Sequence, residues 1–204
     1  MKMNLPNKLT LIRILLIPIF TAIFFIEAIP FNHVISAGVF ALAAFTDFLD
    51  GYIARKYNLV TNLGKFLDPI ADKALVSTAL IILITNPVAM GASVFGITVK
   101  QAVMIFSICV AVIMIRELMI SAFRMIAAKR NLVLAADKIG KAKTFTTDIA
   151  IVILLVAIDL VAYNLAYSIL IWVGIVIFII ATLLTVVSGV NYIVKNKEVL
   201  VDND

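Results

Sequence analysis

The chain has 204 residues, of which 64% are hydrophobic and 14% charged, with a formal net charge of +5. A soluble domain is about 45–50% apolar and about 25% charged, so this composition, with mean hydropathy +1.16, excludes an ordinary soluble globular domain and makes lipid the solvent. The one cysteine, Cys109, excludes an intrachain disulfide and reads as a small hydrophobe.

A bilayer span needs about 20 mostly apolar residues. Six segments qualify, at 9–28, 33–56, 66–86, 99–128, 138–160 and 165–194. The first follows a basic start with no small-residue cleavage site, so it reads as a retained span and not a signal peptide. Turn signals at Pro30-Phe31-Asn32, Tyr57-Asn58, Asn86-Pro87, Lys129-Arg130-Asn131 and Tyr163-Asn164 separate the segments. The expectation is one all-α domain over 1–204, a six-transmembrane-helix bundle. With the N-terminus inside, the inner loops fall near 57–65 and 129–137. Of 17 Lys and Arg residues, only Lys100 then lies in an outer loop. That asymmetry predicts an N-in/C-in, multi-pass protein of the cell membrane. Its basic inner face suits anionic lipid and anionic substrates, and nucleic acid is not needed to explain it.

Spans two and three carry a costly feature. Asp47 and Asp50 stand near the inner end of span two, and Asp68 and Asp72 near the start of span three. A carboxylate in hydrocarbon costs roughly 3 kcal/mol on the insertion scale. The i,i+3 and i,i+4 spacings put each pair on one helix face. The short connection Tyr57–Lys65 makes the two helices antiparallel neighbours. Four convergent carboxylates form a hard oxygen cage suited to Mg²⁺ or Mn²⁺, with room for two ions that can hold a diphosphate. Gly51, Ala54 and Gly64 leave the same faces open. Arg55 stands at the inner mouth, and Pro69 fits best near a helix start.

The string Asp47-x2-Asp50-Gly51-x2-Ala54-Arg55-x8-Gly64-x3-Asp68-x3-Asp72 resembles the signature of the CDP-alcohol phosphotransferase family at all eight fixed positions. The resemblance implies that family's fold, six transmembrane helices and usually a homodimer, with an active site facing the cytoplasm. It also implies transfer of a phosphate-bearing group from a CDP-linked donor to a hydroxyl, with release of CMP. Carried over by position, Asp47, Asp50 and Asp68 would hold the metals. Asp72 would complete the cage and act as general base, and Gly51, Ala54, Arg55 and Gly64 would border the CDP group.

Three further stretches narrow the resemblance: Pro6 to Arg13, Arg116 to Arg124, and Gly140-Lys141-Ala142-Lys143-Thr144. They are similar to the branch that moves the phosphatidyl group of CDP-diacylglycerol to sn-glycerol 3-phosphate. Capture of that small dianion needs cations, which Arg116, Arg124, Lys141 and Lys143 supply. Arg116 lies deeper than the other three, with Glu117 as its partner or as the holder of another pocket residue. Lys129, Arg130 and Lys138 read as topology determinants that snorkel to the headgroups. On residue chemistry alone, Asn7, Thr10 and Arg13 cap and anchor span one; the resemblance puts them on the nucleotide side. His33 reads as an interface residue, Asp159 as an isolated acid at the outer end, and Asp148 as an acid that bonds within the bundle.

Rival readings keep the family and change the acceptor to inositol phosphate, serine or phosphatidylglycerol. Others change the class. An intramembrane prenyltransferase separates its acidic motifs by several helices. A divalent-cation transporter places acids near mid-membrane and leaves the Gly and Arg positions unexplained.

Overall fold

The computed structural model describes residues 4–57, 61–129, 138–162 and 169–200. Within these, the side chains at 48, 52, 54, 55, 62, 65, 129, 138 and 200 lie outside the description. The described residues contain no strand. They form α1 (Leu5–Phe25), α2 (Asn32–Lys56), α3 (Asn62–Ile84), the short α4 (Ala92–Phe95), α5 (Val99–Lys129), α6 (Lys138–Ala162) and α7 (Ile169–Lys195), closed by a 3-10 turn at Lys197–Leu200.

Polar caps explain where α1 and α3 begin, in each case four residues before the apolar pattern does. Asn4 caps α1 by accepting from the Asn7 N–H at 3.2 Å, and Pro6 sits in the first turn, where its missing N–H costs nothing. Thr61 caps α3 by accepting from the Gly64 N–H at 3.0 Å. Pro69 therefore lies inside α3 and not at its start. The sequence pattern gives no hint of α4. It is a single turn between two glycines in the left-handed region, Gly91 (φ 70°) and Gly96 (φ 63°), and it follows a turn in which Asn86 accepts from the Val88 N–H.

Among the described residues, five helices are long and apolar enough to cross a membrane: α1, α2 to Gly51, α5, α6 and α7. The chain is a multi-pass membrane protein on that ground. α3, at 23 residues, has the length but carries Lys65, Asp68, Asp72 and Lys73, four charges that a lipid-facing helix would not tolerate. It packs against α1, α2, α5 and α6 and leaves Phe66, Ile70 and Ile81 exposed. The 31 residues of α5 span about 46 Å at 1.5 Å per residue, more than the ~30 Å hydrocarbon core.

Phe20, Phe40, Leu75, Leu80, Leu154 and Phe178 form the centre of the core. Many large apolar side chains point outward, including Leu15, Phe45, Ile108, Leu118 and Leu183, as expected where the surroundings are lipid. α6 and α7 approach closely at Gly174. A Cβ there would meet Leu154 Cδ2 at 2.7 Å, which is the small-residue contact that lets transmembrane helices pack.

The end of the bundle where α2 starts corrects one expectation. Asp159 is not isolated, because it pairs with His33. His33 Nδ1 and Asp159 Oδ1 are 2.6 Å apart, and Asp159 Oδ2 accepts from the Val34 N–H at 2.9 Å. Phe31, at φ 55°, enters α2 without a side-chain cap of its own, so an acid from α6 satisfies a first-turn N–H of α2. The pair is invisible to sequence reading because its partners lie 126 residues apart.

Candidate active site

The N-terminal ends of α1, α3 and α6 and the C-terminal ends of α2, α5 and α7 supply the polar groups, in two clusters. The first joins α1, α2 and α3. Asn7, Thr10 and Arg13, three residues apart, occupy one buried stripe of α1. Arg13 is fully buried and forks across the α2 acids. Nη1 donates to Asp47 Oδ1 at 2.5 Å, Nη2 to Asp50 Oδ2 at 2.6 Å, and Nε to the Ala43 carbonyl at 3.2 Å. A buried guanidinium needs such pairing. The Thr10 hydroxyl lies 2.7 Å from Asp68 Oδ1 and 3.4 Å from Asp50 Oδ2, so one hydroxyl reaches an acid on each of two helices.

Gly64 completes this side. Asn7 Oδ1 accepts from the Thr61 hydroxyl at 2.9 Å, and a Cβ on Gly64 would come within 2.9 Å of the same Asn7 oxygen and 3.7 Å of Asp68 Oδ2. Glycine eases this close approach to the Asn7 side chain, and its backbone is ordinary helix. Gly51 lies on α2 one residue beyond Asp50. Ala54 and Arg55 also belong to α2, and their side chains lie outside the described residues.

The second cluster joins α3, α5, α6 and α7. Glu117 Oε1 accepts from Arg116 Nη1 at 2.9 Å and from Lys143 Nζ. Arg116 Nη2 donates to Ser188 Oγ at 2.9 Å, and a Cβ on Gly189 would meet Arg116 Cγ at 3.0 Å. Lys143 is buried, whereas Lys141 and Arg124 are exposed. Arg124 Nε donates to the Tyr192 hydroxyl at 3.3 Å, and its guanidinium lies 5.6 Å from that ring. Lys73 Nζ donates to Ser121 Oγ, and Ser121 Oγ donates to the Glu117 carbonyl at 2.6 Å.

Asp72 stands between the clusters. It lies one turn beyond Asp68 on α3 and feels the charges of Asp47 and Arg13 as well as those of Glu117 and Lys143. It lines a small cavity with Glu117, Lys143, Thr147 and Asp148. Among the described residues, no three acidic, histidine or cysteine side chains are drawn together as a finished metal-ligand set; Arg13 and Thr10 bridge the carboxylates. The donors are nonetheless all hard oxygens, and Asp50 and Asp68 come within reach of one hydroxyl, a donor chemistry that fits Mg²⁺ or Mn²⁺. Sequence reading missed Lys73, Ser121, Ser188 and Tyr192. Only Lys73 had a signal, as a charge within an apolar helix beside Asp72.

The family model for CDP-alcohol phosphatidyltransferase matches residues 3–187. The chain belongs to that family. Among curated relatives, the CDP-diacylglycerol–glycerol-3-phosphate 3-phosphatidyltransferase of Bacillus subtilis (strain 168) is 42% identical, with 97% of each chain covered. That of Rickettsia bellii (strain RML369-C) is 38% identical, with 93% of each covered. The cardiolipin synthase (CMP-forming) of Oryza sativa subsp. japonica is 36% identical over 77% of this chain and 47% of its own length.

Proposed function

We propose that the chain transfers the phosphatidyl group of CDP-diacylglycerol to sn-glycerol 3-phosphate, giving phosphatidylglycerophosphate and CMP. The observation that carries this reading is the position of Asp72 between an acidic cluster suited to a diphosphate-bound metal and a basic cluster suited to a phosphorylated acceptor. Near-full-length similarity to relatives bearing that enzyme's name supports it.

In this reading Asp47, Asp50, Asp68 and Asp72 hold Mg²⁺ or Mn²⁺, two ions in all. When bound, the ions neutralise the diphosphate and stabilise the departing CMP. Arg13 and Thr10 orient the α2 and α3 acids. Gly51, Ala54, Arg55 and Gly64 border the nucleotide, with Asn7 beside Gly64. The Asp72 carboxylate takes the proton of the attacking hydroxyl. As a weak base it relies on positioning for much of the rate. Lys143 and Arg116, set by Glu117, draw in the acceptor phosphate, with Arg124 and Lys141 at the more exposed entrance. The acyl chains stay in lipid.

The same proposal places six spans across the membrane by counting α3, with both termini and the active site on the cytoplasmic side. The basic residues at the site ends of the helices support this orientation. It includes a homodimer, which rests on the family resemblance. The similarity to a cardiolipin synthase favours phosphatidylglycerol as the second acceptor to test. The test is CMP release by the purified protein from CDP-diacylglycerol, with each of glycerol 3-phosphate, phosphatidylglycerol, serine and inositol phosphate, with and without Mg²⁺ or Mn²⁺. Turnover is expected with glycerol 3-phosphate and a divalent ion only. Comparable turnover of another acceptor overturns the assignment, and no CMP release with any acceptor overturns the reaction class.

A further inference from the structure

We propose that Asp148 is a specificity-determining residue whose carboxylate accepts a hydrogen bond from the second hydroxyl of a polyol phosphate acceptor. The inference rests on the transfer reaction proposed above and adds a residue that neither the acidic motif nor the basic cluster contains.

Asp148 lies on α6, five residues beyond Lys143, in the wall of the cavity that also holds Asp72, Ser77, Glu117 and Thr147. Its Oδ1 is buried and has no hydrogen-bond partner among the described residues. An unsatisfied buried acceptor is costly, and proteins contain few of them. The nearby donors whose bonds are drawn point elsewhere. The Thr147 hydroxyl donates to the Lys143 carbonyl at 2.9 Å, and that of Thr144 to the Gly140 carbonyl at 3.2 Å. Lys143 Nζ is held by Glu117, and Lys73 Nζ by Ser121. On its other side Asp148 closes an apolar cavity of about 330 Å³ lined by Phe40, Ala44, Phe45, Phe145 and Val152, none of which can donate. The cavity shared with Asp72 gives a partner for Oδ1 a way in.

That cavity is small. Its volume of about 20 Å³ is just above the ~10–15 Å³ that one water requires, so the cavity has to widen as an acceptor enters. The carboxylates of Asp72 and Asp148 also feel each other's charge. A glycerol phosphate presents matching groups. Its less hindered primary hydroxyl goes to Asp72, its phosphate to the cations beside Glu117, and its secondary hydroxyl is left to point at Asp148. A carboxylate accepts from a hydroxyl and repels phosphate, so it also disfavours the inverted pose.

The test compares kcat/KM for sn-glycerol 3-phosphate with that for 3-hydroxypropyl phosphate, which lacks only the secondary hydroxyl. The proteins are the purified full-length wild type, Asp148→Ala and Asp148→Asn. The ratio of the two acceptors cancels any general effect of removing a negative charge. The wild type is expected to prefer glycerol 3-phosphate by about 10- to 100-fold, the discrimination of one hydrogen bond to a charged group. In Asp148→Ala the preference falls to within about threefold, through loss on glycerol 3-phosphate and not on the analogue. Asp148→Asn, which keeps an acceptor oxygen, lies between them. The Tm of Asp148→Ala stays at or above wild type, because no partner is lost. Wild-type discrimination retained in Asp148→Ala overturns the inference, as does a lowered Tm with unchanged discrimination. A wild type that uses neither acceptor refutes the transfer reaction itself.

Discussion

Replacing Glu117 by alanine should loosen the basic cluster more than any single cation change does. One oxygen, Oε1, accepts from both Arg116 and Lys143. Lys143 is 5% exposed, and the side chains of Arg116 and Glu117 are 14% and 25% exposed. Removing the acid leaves two cations facing each other with little water between them. Each hydrogen bond to a charged group is worth about 1.5–3 kcal/mol, and uncoupling a fully buried pair costs about 3–5 kcal/mol. Partial exposure lowers the outcome to about 2–4 kcal/mol of stability. Thermal unfolding in detergent reads this directly. If the freed cations drift, kcat/KM for the acceptor falls about 10- to 100-fold, equivalent to roughly 1.4–2.8 kcal/mol, while KM for the CDP-linked donor stays within about twofold. Glu117→Gln keeps an acceptor oxygen and should recover about half of the stability. An alanine variant with wild-type Tm and acceptor KM would refute the view that Glu117 organises the two cations.

Asp72→Asn should retain the wild-type Tm within a few degrees and lose about 10²–10⁴ in kcat; near-normal turnover in a CMP-release assay would remove it as the proton acceptor. Gly174→Ala forces a methyl into Leu154 and should cost about 1–3 kcal/mol, seen as a lower Tm with unchanged KM values; an unchanged Tm would mean that α6 and α7 separate easily. Asp159→Asn weakens its bond to His33 and its cap of α2 and should cost about 1–2 kcal/mol without altering acceptor preference. Arg124→Ala should raise the acceptor KM several-fold, and Tyr192→Phe, which removes only the hydroxyl from the Arg124 contact, should raise it less; equal KM values in all three proteins would return Arg124 to a headgroup anchor.

The helices and the four acids could be read from the chain because both signals are local. Apolar length marks a span, and an i,i+3 or i,i+4 acid pair marks a helix face without any knowledge of what packs against it. Starts at Leu5 and Asn62 were harder to place, since a polar cap lies outside the apolar pattern that flags the span. α4 depends on two positive-φ glycines in a loop rich in apolar residues, where neither period nor charge changes. Contacts across the bundle were beyond reach. Arg13 looks like an anchor until α1 is seen packed on α2, and Asp159 looks isolated until α6 is seen to meet the start of α2. The same limit hid Ser188 and Tyr192, ordinary residues in the apolar run of α7 that acquire a role only beside Arg116 and Arg124.

If α2 and α3 aim their acids at one shared divalent-ion centre, Mn²⁺ binds there and both helices contribute to its affinity. Mn²⁺ titrated into the purified protein with CDP-diacylglycerol present and followed by electron paramagnetic resonance should give about two bound ions per chain in the wild type. Asp50→Asn on α2 and Asp68→Asn on α3 should each weaken that binding by at least about tenfold, since each removes a charged ligand from the same centre. Wild-type Mn²⁺ affinity in both variants would contradict the account.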